Sequence, residues 1–322
     1  MTRILIIGGG GMLGQKLAHR VSIQETFGAD AQVSLFDLSF PPDSAAGNQI
    51  VGNLTATGIA KSFATQRPDV IFHLAAIVSG QAETDFALGW DVNLMATWAL
   101  LNALKDQHEA SESEYTPRLV FASSIAVFGS PFPEKISDEF LSAPLTSYGA
   151  QKAAAELMIT DFSRKGYIDG ISLRLPTLCV RPGKANAAAS SFFSGIIREP
   201  LNGDEAVLPV AETVRHWHAS PRAAATFLTH AATMDTQLLN DRRALNMPGV
   251  SCTVAEQIEA LRKVAGQEAV GLIRQEPDET IERIVKNWPR DFQTDRALEL
   301  GFKAESSFDE IIRVYLEDDF RL

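Results

Sequence analysis

The sequence has few cysteines, no long apolar run and no cluster of basic residues. Its 322 residues include 2 cysteines, Cys179 and Cys252, which are too few and too far apart for a disulfide scaffold or a zinc-ligand pattern. We therefore expect a reducing, cytoplasmic location and two ordinary buried thiols. No segment is apolar for long enough to cross a bilayer, and the apolar start before Gly8 is too short for a signal peptide.

The charge balance is acidic, with 29 Lys and Arg against 40 Asp and Glu and a net charge of −11. The sequence has no run of Lys and Arg that could bind a row of phosphate groups. The composition therefore argues against nucleic acids and anionic membranes as partners. The expected partner is a small molecule. A chain of this length can bury one large core or two unequal cores that share a cleft.

Short β-branched runs alternate with helical patterns through the first half. The candidate strands are RILIIG, QVSLFDL, NQIVGNL, DVIFHLAA, RLVFASS and ISLRLPT. Candidate helices begin near Met12 and cover residues 55–66, 91–105 and 147–165. This alternation predicts an α/β fold built on a Rossmann-type, doubly wound parallel sheet.

The composition changes after Leu178 to Gly, Pro, Ser, Ala and Asn. This change in composition predicts a large lobe over residues 1–177 and a smaller lobe mainly over 178–322. Residues 174–177 are expected to close the sheet of the large lobe. Segments near 222–250, including TFLTHAATM and ALNMPG, are expected to return to the large sheet, so the lobes interleave in sequence. Helices are expected at 254–264 and, behind a serine cap, in SSFDEIIRVYLEDDF.

A glycine-rich turn follows the first strand. Gly8, Gly11 and Gly14 are spaced three residues apart, so backbone N–H groups can approach a pyrophosphate at the start of a helix. Glycine turns also end many strands that bind nothing. Asp37 ends the second strand, where a carboxylate can accept both ribose hydroxyls of NAD and repel the extra phosphate of NADP. Although Asp37 could instead cap a turn, the two features together predict that residues 1–177 bind NAD.

Tyr148 and Lys152, in SYGAQK, lie four residues apart and share one helix face. A tyrosine pKa near 10 is too high for a base at neutral pH, and an adjacent cation lowers it. A surface tyrosine packed on a lysine stem is the alternative. Ser123 and Ser124 end the preceding strand, at the sheet edge where open α/β sheets bind ligands, and a hydroxyl there could hold a substrate alcohol.

These motifs resemble the extended short-chain dehydrogenases/reductases, the NAD-dependent epimerase/dehydratase group, over essentially the whole chain. The residues that carry the resemblance are Gly8, Gly11, Gly14, Asp37, HLAA at 73–76, Asn93, Ser124, Tyr148 and Lys152. It implies that Tyr148 is the general base and that Lys152 lowers its pKa and binds the nicotinamide ribose. Ser124 would bond the reacting hydroxyl, and Asn93 would support the site through backbone and water contacts. A homodimer through the helices near 91–105 and 147–165 is also implied.

The same resemblance implies a set of NAD contacts. They are Gly8, Gly11, Met12, Leu13, Gly14, Asp37, Asn53, Leu54, Leu74, Ala75, Ala76, Ser79, Tyr148, Lys152, Pro176 and Thr177. The chain departs from the family pattern at three places: Asn53 stands where many members have Asp, Phe128 where many have Tyr, and Leu175–Thr177 where epimerases have an aromatic-Phe-Asn triplet.

The block RLPTLCVRPGKANAAASSFFSGIIREPLNG is similar to the D-erythronate dehydrogenase branch, which oxidises the 2-hydroxyl of a four-carbon sugar acid. In epimerases, a segment that contacts the substrate diphosphate contains an Arg, an Asp, an aromatic residue and a His. The segment RHWHAS keeps Arg215 and Trp217 of this pattern but lacks the Asp and the matching His. A small anionic acid needs cations, hydroxyl or amide donors and closely packed small residues. Candidate substrate contacts are Ser79, Ser124, Arg181, Lys184, Asn186, Ser190, Ser191, Arg215, Trp217 and Arg222.

The predicted function is NAD-dependent oxidation of D-erythronate to its 2-keto acid, without a metal. The alternatives are a nucleotide-sugar epimerase or dehydratase and an NAD-sensing protein without turnover. Each basic residue of the substrate set could also be a solvated surface charge. His216 and His218 could be acid–base groups, although two histidines beside a tryptophan are more often packed scaffold.

Overall fold

Parallel strands and helices alternate through the first half of the chain, as the sequence predicts. The computed structural model describes residues 1–24, 26–45, 47–183 and 189–320. The strands are β1 Arg3–Ile7, β2 Gln32–Asp37, β3 Asn48–Val51, β4 Val70–His73, β5 Arg118–Ser124, β6 Asp169–Leu175, β7 Thr177–Leu178, β8 Ala206–Leu208, β9 Arg215–Ala219, β10 Ala244–Asn246, β11 Val250–Thr253 and β12 Ile273–Gln275.

The helices vary widely in length. They are α1 Met12–Gln24, α2 Ile59–Thr65, α3 Ser79–Thr84, α4 Phe86–Trp90, α5 Ala96–Ala110, α6 Ser147–Arg164, α7 Ser191–Leu201, α8 Pro221–Thr233, α9 Val254–Val270, α10 Glu279–Val285, α11 Asp295–Glu299 and α12 Phe308–Asp318. A π-helical turn covers Asp91–Met95, and 3₁₀ turns cover Ile125–Val127 and Thr236–Leu239. Within the described residues, no helix combines the length and apolar character that a membrane span requires.

The larger sheet has the strand order β10-β6-β5-β4-β1-β2-β3. Strand β1 pairs in parallel with both β2 and β4, so the winding direction reverses there. This is the doubly wound α/β architecture that the alternation predicts. In such sheets ligands bind beyond the carboxyl ends of the strands, at the point of reversal.

Burial of apolar side chains on both faces explains the nearly continuous apolar runs of these strands. All four residues of β4 are buried, and Ile4 to Ile7 of β1 are at most 4% exposed. Phe36 of β2 packs edge-to-face on Phe63 of α2, with ring centres 4.8 Å apart. Each such side chain contributes about 1.5–3 kcal/mol when it leaves water.

Three expectations about these elements are wrong in detail. Helix α2 begins at Ile59, not near residue 55, because the Asn53 side chain accepts a hydrogen bond from the backbone of Thr55 and Gly58 takes a left-handed φ of 85°. The helix expected at 91–105 starts as the π-helical turn and continues to Ala110. Residues 174–177 do not close the sheet, because β10 lies outside β6.

The chain forms two compact units, each assembled from separate segments. Unit 1 comprises Met1–Val127, Thr146–Arg174 and Ala225–Leu245, and unit 2 comprises Phe128–Leu145, Leu175–Ala224 and Asn246–Leu322. Unit 1 contains most of the larger sheet. Helix α6 of this unit starts where the Thr146 side chain accepts from the Gly149 backbone, and it buries a face that includes Lys152 and Glu156.

Unit 2 contains two small sheets, β11-β9-β7 and β12-β8. Strand β9 runs antiparallel to β11 and parallel to β7. Helix α9 begins with a capping box between Thr253 and Glu256, and the Ser307 side chain caps α12 as the sequence predicts. Phe193 and Phe308 are buried in the core of this unit.

Candidate active site

The glycine turn between β1 and α1 contains glycines with two different functions. Gly8 has a φ of +93°, and a Cβ on it would lie 2.5 Å from the Ala75 nitrogen. A Cβ on Gly14 would lie 2.2 Å from the Gly8 oxygen. Gly11 is exposed, and its nearest neighbour would be 3.5 Å away. Gly8 and Gly14 therefore allow close packing, whereas Gly11 leaves room beside the first turn of α1, where Met12 and Leu13 are half-buried.

Asp37 lies beside this turn. Its Oδ2 accepts from the Gly10 nitrogen at 2.9 Å, and its Oδ1 accepts from the Leu38 nitrogen at 2.7 Å. The carboxylate is thus fixed at the carboxyl end of β2 and keeps acceptor capacity for ribose hydroxyls. Nearby in sequence, Asn53 is occupied by its turn with Thr55, and Leu54 is buried.

Asn93 joins two other elements of unit 1. Its Oδ1 accepts from the Ile77 nitrogen at 2.8 Å, and its Nδ2 donates to the Ile77 oxygen at 3.0 Å and to Gln151 Oε1 at 2.7 Å. These bonds connect the segment after β4 to α6. Leu74 and Ala75 begin that segment and donate to the Ile7 oxygen. Ala76 and Ser79 follow, both half-buried.

Ser124, Tyr148 and Lys152 are brought together at the carboxyl end of β5. The Ser124 side chain lies close enough to the Tyr148 phenol to act on its pKa, and the Ser124 Oγ accepts from the Ala126 nitrogen at 3.1 Å. Lys152 is 1% exposed and donates to the Ala122 oxygen at 2.9 Å. Its Nζ lies 5.7 Å from the centre of the Tyr148 ring.

The pKa values of this pair differ from the sequence-based expectation. Burial raises the pKa of Tyr148 to about 12, although the hydrogen bond from Ser124 acts in the opposite direction. Burial lowers the pKa of Lys152 to about 7, against the charge of Glu156. Burial thus keeps the tyrosine pKa above its ordinary value in the chain alone, and the lowering of that pKa by Lys152 stays a prediction.

The three arginines predicted to contact substrate have different partners. Arg215 pairs with Glu256 at 3.1 Å, and Arg222 pairs with Asp318 and Glu317. Arg181 is half-buried and burial lowers its pKa. In the described part of the chain, no carboxylate pairs with its guanidinium.

The other predicted substrate residues are also in unit 2. Ser190 is the N-cap residue of α7, and Ser191 is the first residue of that helix. Trp217 is buried, and its Nε1 donates to the Met247 oxygen at 3.1 Å. Lys184 and Asn186 lie outside the described residues.

His216 and His218 are buried in the core of unit 2. His216 Nδ1 bonds the Pro289 oxygen at 2.8 Å, and its Nε2 bonds the Thr177 hydroxyl at 2.6 Å. Burial lowers the pKa of His216 to about 4 and that of His218 well below its usual value. Both rings are therefore neutral at neutral pH. Pro176, before Thr177, is buried.

The NAD dependent epimerase/dehydratase family model matches residues 4–236. The chain belongs to this family. It is 44% identical to D-erythronate dehydrogenase of Cupriavidus necator, over 98% of each chain. It is 40% identical to D-erythronate dehydrogenase of Haemophilus influenzae, over 98% of this chain and 99% of that one. The crystal structure of a nucleoside-diphosphate-sugar epimerase from Agrobacterium tumefaciens matches with a TM-score of 0.93 at 53% identity, over 98% of this chain and 94% of that one.

This family membership confirms NAD as the cofactor, and the chain is an NAD-dependent dehydrogenase. The residues of unit 1 fit that cofactor. Gly11 leaves open space at the start of a 13-residue helix, where backbone N–H groups favour phosphate. Asp37 offers the carboxylate oxygens that a ribose diol needs.

Sequence reasoning missed Glu156 and Arg174, beside the family's Tyr–Lys pair, and did not find the partner of Ser123. Ser123 donates to Glu156 Oε1 at 2.5 Å. Arg174 donates to both oxygens of Glu156, at 2.7 Å from Nη2 and 3.0 Å from Nε. The spacing contained a signal for Glu156, which follows Lys152 by four residues and so shares its helix face.

Proposed function

We propose that the chain oxidises the 2-hydroxyl of a short sugar acid, converting D-erythronate to 2-keto-D-erythronate. The observation that carries this proposal is the near-full-length similarity to two D-erythronate dehydrogenases from different bacteria. In this reaction the hydroxyl proton goes to a base on the protein, and the carbon-bound hydrogen leaves with its electron pair. When bound, NAD accepts that hydride and becomes NADH.

Tyr148 is the proposed base and Ser124 the hydroxyl that holds the substrate alcohol. The short-range effect of Ser124 on the Tyr148 pKa supports these roles, because a base must lie within hydrogen-bond reach of the proton that it removes. The Lys152 ammonium stabilises the phenolate form across 5.7 Å. Since the Tyr148 pKa of about 12 belongs to the chain alone, the phenolate is a minor form that the charged lysine must favour.

Arg181 is the proposed partner of the substrate carboxylate. A guanidinium forms two parallel hydrogen bonds to a carboxylate, and a half-buried cation gains most from a counter-charge. Arg215 and Arg222 already have carboxylate partners, so we do not assign this contact to them. Ser79, Ser190, Ser191 and the small residues around them remain proposed contacts for the hydroxyl groups of the acid.

The test is incubation of the purified chain with NAD and D-erythronate while NADH absorbance is followed. We expect NADH to accumulate with D-erythronate, and to accumulate more slowly when NADP replaces NAD because Asp37 repels its extra phosphate. The acid of opposite configuration at carbon 2 is the matched control. No NADH with erythronate or any related aldonate would refute the proposal.

Epimerisation of a nucleotide sugar is the rival reaction, favoured by the 53% identity to the Agrobacterium epimerase. An epimerase must keep its keto intermediate bound while the intermediate rotates, and the nucleotide part of the substrate supplies the binding contacts for this. A four-carbon acid has no such part. The pairing of Arg215 with Glu256 also occupies the cation expected to meet a diphosphate. Conversion of a nucleotide sugar without net NADH would support the rival. A purely NAD-sensing role is disfavoured by the complete Ser124, Tyr148 and Lys152 set.

We also propose that two copies of the chain associate through α5 and α6, in a reducing cytoplasm. Met95, just before α5, is 51% exposed, Trp98 in the first turn of α5 is 44% exposed, and Leu157 of α6 is 73% exposed. Such apolar surface on neighbouring helices is typical of a protein interface. Sedimentation of the native chain and of Leu157→Glu would test this, with a monomeric native chain contradicting it.

A further inference from the structure

Three consecutive residues at the end of β5 each contact a different side chain of α6. The Ala122 oxygen accepts from Lys152, the Ser123 hydroxyl donates to Glu156, and the Ser124 side chain lies beside the Tyr148 phenol and acts on its pKa. The three helix residues recur every four positions and form one stripe on the helix. The stripe therefore continues one turn beyond the proposed catalytic pair.

Glu156 is held from a second direction as well. Arg174 of β6 reaches both of its carboxylate oxygens, and the Glu156 side chain is only 5% exposed. A buried ion pair gains little net stability, because desolvation offsets the attraction, but it does impose one geometry. Helix α6 is thus cross-linked through a single carboxylate to both β5 and β6.

We propose that Glu156 is a positioning residue for the reaction, which with Ser123 and Arg174 fixes the stripe of α6 against β5. This inference rests on the roles proposed above for Tyr148 and Lys152. Because Ser123 immediately precedes Ser124, its bond to Glu156 also fixes the strand residue that faces the substrate hydroxyl. A rotation or shift of α6 would move Tyr148 away from Ser124.

Glu156 also acts on Lys152 through its charge. The ionisable groups around Lys152 are Tyr148 and Glu156 on α6, His73 on β4 and, through Glu156, Arg174 on β6. His73 is neutral because burial lowers its pKa to about 3. Glu156 is the negative charge that opposes the fall in the Lys152 pKa. Without it, more of the lysine is neutral at neutral pH and cannot stabilise a phenolate.

The experiment compares Glu156→Gln, which removes the charge but keeps an acceptor for Ser123, with Glu156→Asp, which keeps the charge. The Lys152 pKa is followed by carbon NMR of labelled lysine, with Lys152→Met to assign the signal. We expect Glu156→Gln to lower the Lys152 pKa, to shift the pH profile of kcat and to reduce kcat at neutral pH about tenfold or more. Glu156→Asp should restore part of both.

Loss of one partner of a buried pair can itself destabilise a fold. The double variant Glu156→Gln/Arg174→Met removes the pair together and keeps the test valid if the single variant unfolds. An unchanged Lys152 pKa and an unchanged pH profile in a folded variant would overturn the inference. Because the NMR titration needs no substrate, it decides the role of Glu156 even if the chain fails to oxidise D-erythronate.

Discussion

The two units of the molecule surround their most buried ionisable groups differently. In unit 1, Lys152 lies beside the Glu156–Arg174 ion pair, and the buried imidazole of His73 is neutral. In unit 2, His216 is neutral and bonded to Thr177 and Pro289, and the buried charge is that of Arg198, paired with Glu199. A buried charge costs more than a neutral ring, so it persists where the charge has a use. The contrast teaches that burial alone does not mark a catalytic group.

Three half-buried arginines of unit 2 add a second contrast. Arg215 and Arg222 have carboxylate partners, whereas Arg181 has none in the described residues. Among these three arginines, Arg181 is therefore the one that is available to a substrate carboxylate. Each of the following predictions tests one part of this comparison.

Replacement of Tyr148 by Phe should have the largest effect. We expect kcat to fall about 10²- to 10⁴-fold, the range typical for loss of a general base, because the phenol oxygen is absent. NAD affinity, measured by calorimetry, should change little. Turnover close to that of the native chain would remove Tyr148 from the role of base.

Arg181→Met should reduce kcat/KM for D-erythronate about 10- to 100-fold, since a hydrogen bond to a charged group contributes about 1.5–3 kcal/mol. Arg215→Met is the matched control, because it breaks an exposed ion pair of about 0–1 kcal/mol. Steady-state kinetics of both variants measure the difference. Equal losses in the two variants would contradict the assignment of Arg181 to the carboxylate.

Two alanine substitutions separate the functions of the glycine turn. Gly11→Ala should leave stability nearly unchanged and weaken NAD binding about fivefold, as for the loss of one hydrogen bond of about 1 kcal/mol. Gly14→Ala should destabilise the fold by about 1–3 kcal/mol, because its Cβ meets the Gly8 oxygen. Calorimetry and urea unfolding provide the two readouts, and the reverse pattern would refute the distinction.

Acid should destabilise the fold through its neutral histidines. The pKa values of His73 and His216, about 3 and about 4, lie below the unfolded value near 6.5. Between these values the unfolded chain binds more protons, so the free energy of unfolding falls as pH drops from about 6.5 towards 4. Urea unfolding at several pH values measures the slope, and His216→Asn should make it shallower. An unchanged slope would show that His216 is not a source of the acid sensitivity.

Local spacing explains why the sequence predicted much of this molecule. The glycine turn and the Tyr148/Lys152 face depend on neighbours a few residues apart. Helix α2 was predicted too long because one side chain, Asn53, competes for the backbone of Thr55. The partners of Arg222 and Arg174 could not be read from spacing, because Asp318 and Glu156 reach them only through tertiary folding. The raised pKa of Tyr148 was missed for the same reason, since burial is a property of the fold.

The position of β10 has a consequence for biosynthesis. This strand, Ala244–Asn246, is the outer neighbour of β6, which ends at Leu175. While the ribosome adds the intervening residues, at about 5–20 residues per second, β6 presents an open edge of unpaired N–H and C=O groups. Nascent chains are therefore most exposed to edge-to-edge aggregation during those seconds, and slow codons in this interval should lower the soluble yield.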